Sequence, residues 1–420
     1  MLEPEGVLID LAAVREQREA QQPAKRKLGR PRKTTDAVAD ERNNDVQFLA
    51  DNGLQIRRNE MNGDIEYLHP SRGLSSIQGD DLNTFSHLCA HHFGETIPEM
   101  RMKNAVLFAA ELNRYCPVKG YLEQCVANHE PSPHFDRIAE RYMGNKDAIA
   151  NESIKRLMTG MVARVYKPGS ALSFLPILEG AQGLGKSRFS AELVPYGMFA
   201  EISANLDTIS REMYRLHRSW LIELGEIDRY FTPSKAEDFK NLITVRTDEV
   251  RLPYQLPSRK PRRFGMIGTT NQPTFLCDST GNRRFIPVHV GGDINIELLQ
   301  QERDELWAAA VQAFKQGMRT EFNSGELATL TTYQDDWLEV DTWQDDVLRG
   351  LKDMHEVTTT KILTDVVGIA LERQNTGHRR RVAAILRNAG WKQKNTTRSG
   401  RKVRLWINPD PTVRRNESDF

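Results

Sequence analysis

Gly180-Ala181-Gln182-Gly183-Leu184-Gly185-Lys186-Ser187 matches the pattern G-x-x-x-x-G-K-[ST] at every position. In a loop of this kind backbone N–H groups wrap the phosphates of a nucleotide, the lysine ammonium reaches the terminal phosphates, and the hydroxyl ligates Mg²⁺. The expected cofactor is therefore a nucleotide with Mg²⁺. Its binding set is Gly180, Gly183, Leu184, Gly185, Lys186, Ser187 and Arg188, with Ser187 on the metal. The apolar run Leu172 to Leu178 precedes the loop as a buried strand, and Arg188 to Val194 follows as a helix whose amino terminus faces the phosphates. Pro176 removes a ladder hydrogen bond, so the strand is expected to begin at or after it.

Working outward, the chain of 420 residues has room for two or three domains, and 39 % apolar content is enough for a core. No stretch is long and apolar enough to cross a bilayer, and MLEPEGVLID lacks the regions of a signal peptide, so a cytoplasmic protein is expected. Cys89, Cys116, Cys125 and Cys277 show no zinc-finger spacing and read as reduced structural thiols. His87 and His91 share a helical face, but no glutamate follows His87 as in H-E-x-x-H, which leaves a metal site there unsupported.

Past the loop, Trp220 to Leu224 reads as a strand that runs straight into Gly225-Glu226-Ile227-Asp228. Carboxylates at the carboxyl end of a parallel strand are where such a sheet places ligand chemistry. Glu226 is the first choice to polarise water, with Asp228 or Glu223 holding or orienting Mg²⁺. The segment Thr244 to Arg263 reads as a hairpin or loop. It carries Arg246, Arg251, Arg259, Lys260, Arg262 and Arg263 around Tyr254, and either tracks a nucleic-acid backbone or is a solvated connection. Phe264 to Thr269 is a further strand, ending at Asn271, whose amide can orient water or sense a terminal phosphate. Arg283 and Arg284 sit on a turn before the strand Ile286 to Val290. They could supply transition-state charge in the manner of an arginine finger, or be surface ion pairs.

The ordered set GAQGLGKS, WLIELGEID, VRLPY, GTTN and DSTGNRRFIPV, with the lead-ins PVKGYL and RLMTGMVARVYKPG, resembles the virulence-associated E family of phage and mobile-element ATPases. More distantly it is similar to the superfamily 3 helicases. The resemblance spans roughly Pro117 to Val290. It implies an α/β fold with an AAA+-like P-loop core assembled as a homo-oligomeric ring, a hexamer for instance, around DNA. It also implies Lys186 and Ser187 on ATP-Mg²⁺, Glu226 as the acidic catalyst, Asn271 as sensor, and Arg283 or Arg284 reaching the next subunit's ATP. The basic hairpin, with Arg251, Tyr254 and Lys260, would touch DNA. The acidic motif departs from the family's Asp-Glu pair, because Glu223, Glu226 and Asp228 are spread apart.

Both ends of the chain are basic. Within a polar arm (1–45), Lys25 to Lys33 (KRKLGRPRK) resembles an AT-hook, which implies Arg30 and Arg32 in the minor groove of A/T-rich duplex. The intervening 46–150 reads as a small helical domain, with helices at 83–93, 102–114 and 118–128. The ATPase domain is expected at 151–335 and a linker at 336–352. A winged helix is expected at 353–410 and a tail at 411–420. No Asp or Glu occurs between Arg373 and Arg404. Helix Arg379 to Ala389 is expected to bury Val382, Ile385 and Leu386 and to turn Arg380, Arg381 and Arg387 toward a groove, with Lys402 on the wing. Such a module binds DNA or a protein. The function expected is a DNA helicase or replication ATPase acting on single-stranded or forked DNA in a bacterial host cell, alongside other replication proteins. The alternatives are a non-unwinding origin-binding initiator or assembly ATPase, and a DNA-binding regulator with a degenerate ATPase.

Overall fold

The computed structural model describes residues 46–410, except 48, 52, 70–72, 78, 94–97, 204–205, 212, 233–234, 251–257, 277–281, 335–336, 339–340 and 399–400. The arm with Arg30 and Arg32, the tail 411–420, and Arg251 and Tyr254 of the basic segment lie outside the described residues.

The first unit corrects the all-helical expectation for 46–150. Strands β1 (Gln55–Asn59), β2 (Ile65–His69) and β3 (Gly73–Ser76) form an antiparallel meander, and β4 (Arg114–Tyr115) joins β1 in parallel, giving the order β3-β2-β1-β4. Helices Gly79–Phe93 and Glu99–Leu112 connect β3 to β4, and Leu49, Leu54, Ile56, Tyr67, Phe85, Met102 and Val106 fill a small core of their own. These strands are short and mostly polar on the outside (QIRRN, GLSS), so the alternation that marks a half-buried strand is weak in the sequence. From Pro117 onward the chain belongs to a different core, which takes in Val118, Leu122, Ile138, Tyr142 and Ala150. The packing thus changes over near residue 115.

That second core is organised by β5 (Leu175–Glu179), β6 (Phe199–Ile202), β7 (Leu221–Leu224), β8 (Thr247–Val250), β9 (Ser258–Pro261), β10 (Gly265–Thr270) and β11 (Phe285–His289). Five of these make one sheet in the order β11-β5-β10-β7-β6, with every pair parallel. Parallel strands need both faces covered, which explains their near-continuous apolar runs. Helices Ala148–Tyr166, Lys186–Glu192 and Ile296–Lys315 bury one face, with Leu178, Leu221 and Ile267 pointing into it. Phe231, Phe239, Phe275, Phe285 and Trp337 bury the other, with Leu175, Ile177, Ile222 and Leu224. Trp307 stacks on Trp220 at 4.2 Å and donates to the Leu193 carbonyl at 2.7 Å, tying helix Ile296–Lys315 to the end of the helix that follows the glycine-rich loop. Pro176 does lie inside β5, one residue earlier than expected. The ladder to β10 starts only at Ile177, so the missing N–H falls at the strand's beginning, where proline is tolerated.

The basic segment is a hairpin, β8 antiparallel to β9. Its arginines are not all available for nucleic acid. Arg262 is 1 % exposed, donates to both oxygens of buried Asp248 at 2.8 and 2.7 Å, and reaches the Leu242 carbonyl. His217 meets the same carboxylate at 3.0 Å. Arg263 pairs with Glu60, and half-buried Lys260 lies against the turn at Gly63 and Asp64, so the base of the hairpin rests on the amino-terminal unit.

At the carboxyl side, Leu338 bridges to Leu276, and Trp343, Val347, Leu348 and Leu351 already pack in the last core. The expected linker 336–352 is thus mostly structured, and helix Gln344–Gly350 belongs to the terminal unit. There a single α-turn (Thr359–Lys361) runs into a π-helix (Ile362–Val366). Helix Thr376–Asn388 follows, then β13 (Lys392–Arg398) and β14 (Arg401–Ile407), with β12 (Glu356–Val357) as a third strand. Val382, Ile385 and Leu386 are buried as expected.

Candidate active site

The glycine-rich loop leaves β5 at Glu179 and enters the helix at Lys186. Gly180, Gly183 and Gly185 have φ of 156°, 90° and 89°. At Gly180 a Cβ would stand 2.6 Å from the Val290 carbonyl oxygen, so a side chain is excluded there by contact as well as by conformation. Leu184 closes the loop from behind, its carbonyl accepting from Ile294 N–H at 3.0 Å.

Inside this turn Lys186 is 7 % exposed, and its ammonium donates to the Gly180 carbonyl (2.6 Å), the Ala181 carbonyl (2.7 Å) and Asn271 Oδ1 (2.8 Å). Burial draws its pKa below the ordinary lysine value, against the charges of Glu179 and Glu223. Glu179 itself, the last residue of β5, accepts from Trp337 Nε1 and pairs with His289 at 2.7 Å.

Strand alternation points Glu223 to the face covered by helix Lys186–Glu192, where it is wholly buried. Its Oε1 accepts from Ser187 Oγ at 2.6 Å and from Thr269 Oγ1 at 2.9 Å, while Oε2 is buried with no hydrogen-bond partner among the described residues. Burial pushes this carboxyl above the usual range, opposed by its hydrogen bonds from Ser187 and Thr269 and by the nearby hydroxyl of Ser190, which itself donates to the Lys186 carbonyl, and reinforced by the charge of Glu201. Asp228, just beyond the strand, accepts from Thr270 Oγ1 at 3.0 Å. Glu226 differs from both. It has φ of 49°, its side chain is 70 % exposed, and it pairs with Arg229, which in turn donates to the Ser203 carbonyl. Of the three carboxylates, Glu223 is thus the one fixed beside Ser187, and Glu226 is the most exposed, held by Arg229.

A cleft of about 600 Å³ opens at the carboxyl ends of β5, β6, β7 and β10, and Glu223 lies buried behind its wall, bonded to the lining residues Ser187 and Thr269. Of the residues singled out in the sequence, Gly183, Gly185, Lys186, Ser187, Arg188, Glu226, Asp228 and Asn271 line it, and Gly180, Leu184 and Glu223 do not. Glu201, Ser203, Thr269, Thr270 and Gln272 line it too and were not foreseen. The only sequence signal for them is a polar residue at the end of an apolar strand, which becomes specific once the strand order is known. Arg283 and Arg284 are not part of this cleft. They precede β11, and Phe285 at its start pairs with Leu175 at the start of β5, so the arginines stand at the amino end of the sheet.

Among the residues expected on DNA, Arg380, Arg387 and Lys402 are exposed. Arg381 is not turned to a groove: it donates to Asp341 at 2.7 Å and to Thr342 at 2.6 Å, and lies 3.9 Å over the Trp343 ring. That side chain joins the terminal unit to the segment leading into it. His87 and His91 are exposed, and no group of three or more metal-ligating side chains occurs among the described residues. Cys116 and Cys125 are free, and burial pushes the Cys125 thiol up to about 12, which makes it inert. No helix among the described residues is long and apolar enough to cross a membrane.

The family model of the virulence-associated protein E-like domain matches residues 122–339, more than half of the chain. Among solved structures, the apo structure of the NrS-1 C-terminal region (305–718) is similar at a TM-score of 0.51 and 12 % identity, covering 87 % of this chain and 98 % of that one. The A form of the same region gives 0.47 at the same identity and coverage. No curated protein matches.

Proposed function

The chain belongs to the virulence-associated protein E-like domain family, and on that premise we propose that it is an ATP hydrolase acting on DNA in the replication of a phage or related mobile element. The observation that carries this reading is the convergence of Lys186, Ser187, Asp228 and Asn271 on one cleft at the carboxyl ends of a parallel sheet, with buried Glu223 bonded to Ser187 behind it. In it the sheet is an AAA+-like P-loop core. Lys186 leaves its carbonyl partners for the terminal phosphates, and Asn271, which holds that ammonium in the free protein, is placed to sense them. Glu226 orients the attacking water after parting from Arg229.

A divalent cation fits beside Ser187, because the buried Glu223 Oε2 is an oxygen without a partner. Ser187 and Glu223, with Asp228 as a further carboxylate of the cleft, would hold Mg²⁺, which would supply neutralisation of phosphate charge. The terminal unit, a helix with a basic exposed side followed by a hairpin, is read as a winged helix whose Arg380, Arg387 and Lys402 meet phosphates. Arg283 or Arg284 reaches the ATP of a neighbouring copy in a homo-oligomeric ring.

The test is ATP turnover with and without single-stranded and forked DNA, for wild type, Lys186→Ala and Glu226→Gln. DNA-stimulated turnover lost in both variants is expected, and turnover indifferent to DNA would overturn the coupling. A second reading keeps the ATPase as an assembly switch without unwinding. The pairing of Glu226 with Arg229, which occupies the proposed catalyst's carboxylate, favours it. Strand displacement on forked DNA separates the two.

A further inference from the structure

We infer that Thr269 is a positioning residue that fixes which oxygen of Glu223 is left free beside Ser187, so that this hydroxyl, acting through the carboxylate, sets the metal affinity of the site. The inference rests on the nucleotide reading above and deepens it.

Thr269 is the penultimate residue of β10, in a strand buried throughout. Its side chain points to the same face as Ile267, which is part of the helix-covered core. At such a position valine is the isosteric choice and forms strands at least as well, whereas a buried hydroxyl is costly unless it has a partner. Here the partner is a carboxylate. Thr269 Oγ1 donates to Glu223 Oε1 at 2.9 Å, the same oxygen that takes Ser187 Oγ at 2.6 Å. A carboxylate with two donors on one oxygen and none on the other cannot rotate about its terminal bond without breaking both hydrogen bonds. Oε2 is thereby kept as the oxygen with open lone pairs, in a place where no other described group satisfies it.

The next residues show that this is a division of labour along the strand end. Thr270 donates to Asp228 and Asn271 accepts from Lys186, so three consecutive residues each orient one ionisable group of the cleft. Hydroxyl donors and an amide acceptor at a rigid strand end hold these groups more tightly than a loop would. Only Thr269 acts on the carboxylate nearest Ser187. Its loss should therefore show in metal binding and leave the phosphate contacts of Lys186 intact.

The experiment measures equilibrium binding of a fluorescent ADP analogue to the full chain, in EDTA and across a Mg²⁺ titration, for wild type, Thr269→Val, Thr269→Ala and Thr269→Ser. Thr269→Val should raise the half-saturating Mg²⁺ about tenfold, the size of one hydrogen bond to a charged group. Metal-free nucleotide affinity should stay unchanged, and Thr269→Ser should return the Mg²⁺ requirement to within about twofold of wild type. Thr269→Ala, which adds no bulk, must show the same shift if the valine variant does not fold. An unchanged Mg²⁺ requirement in the valine or alanine variant overturns the inference, as does an equal loss of affinity with and without metal. A wild type that binds no nucleotide overturns the nucleotide reading itself, which is a separate result.

Discussion

Removing the carboxylate of Asp248 should cost far more than its place beside a basic hairpin suggests. Asp248 is 5 % exposed and Arg262 1 % exposed, and the guanidinium donates to both oxygens while His217 approaches one of them. Asp248→Ala leaves Arg262 in the core with the Leu242 carbonyl as its remaining acceptor. Breaking a buried pair from one side costs about 3–5 kcal/mol, because a charge is stranded in low dielectric. At roughly 2–4 °C per kcal/mol for a domain of this size, the unfolding midpoint should fall by about 6–20 °C in a circular-dichroism melt. The double variant Asp248→Ala/Arg262→Met, which leaves no buried charge, should regain at least half of that loss. A drop under about 1 kcal/mol, the range of an exposed pair, would refute the reasoning. So would an Arg262→Met protein that keeps its stability and loses DNA affinity, since Arg262 would then be a DNA contact and not a core residue.

Asp248 also predicts an acid limb. Burial raises its pKa, but the hydrogen bonds from His217 and Arg262 and the charge of Arg262 outweigh that, and the carboxyl is held below its ordinary value. Its contribution is fully present above the unfolded value of about 3.9 and is lost as pH falls through the folded one, so Asp248→Asn should flatten the stability-against-pH slope below about pH 4. Lys186→Ala should weaken ADP binding by about tenfold or more, with and without Mg²⁺, in the same fluorescence titration. Glu223→Gln should weaken binding only in the presence of Mg²⁺, while Glu226→Gln should leave binding intact and abolish turnover. Arg380→Ala/Arg387→Ala should weaken duplex DNA binding and reduce its salt slope by about two, whereas Arg381→Ala should lower the unfolding midpoint and leave that slope unchanged.

The parts of the molecule that the sequence made legible are those where one local pattern decides the structure. The glycine-rich loop with its flanking strand and helix is such a case, because glycine at 180, 183 and 185 and a lysine at 186 have few uses in combination. The strands β7, β10 and β11 are others, because an apolar run between polar turns suits a parallel sheet covered on both faces. What escaped reading depends on partners distant in sequence. Arg262 and Arg381 look like their exposed neighbours until Asp248 and Asp341 are brought to them. The amino-terminal strands have too little apolar alternation to stand out, and β4 exists only because β1 is beside it. The acidic cluster lies between these cases. Glu223 interrupts the run Leu221-Ile222-Glu223-Leu224, and a carboxylate inside a buried strand must be matched by donors. That single interruption was a sharper signal than the more conspicuous Glu226 and Asp228 after it.

Strand direction also decides what Arg283 and Arg284 can do. β11 runs parallel to β5, with Phe285 opposite Leu175 and His289 opposite Glu179, so the arginines and the glycine-rich loop lie at opposite ends of the same sheet. Five residues of strand separate the two ends by roughly 16 Å, at about 3.3 Å per residue. The turn carrying the arginines is also held in place, since Gln334 donates to the Asn282 carbonyl at 2.7 Å. An arginine side chain cannot span that distance through a packed sheet, so neither residue can serve the cleft of its own chain. If they act on a nucleotide at all, it is one bound by another copy, presented to the amino end of this sheet. Hydrolysis that depends on Arg283 or Arg284 would therefore require assembly, and it would be lost on dilution to the monomer while nucleotide binding by each separate chain remained.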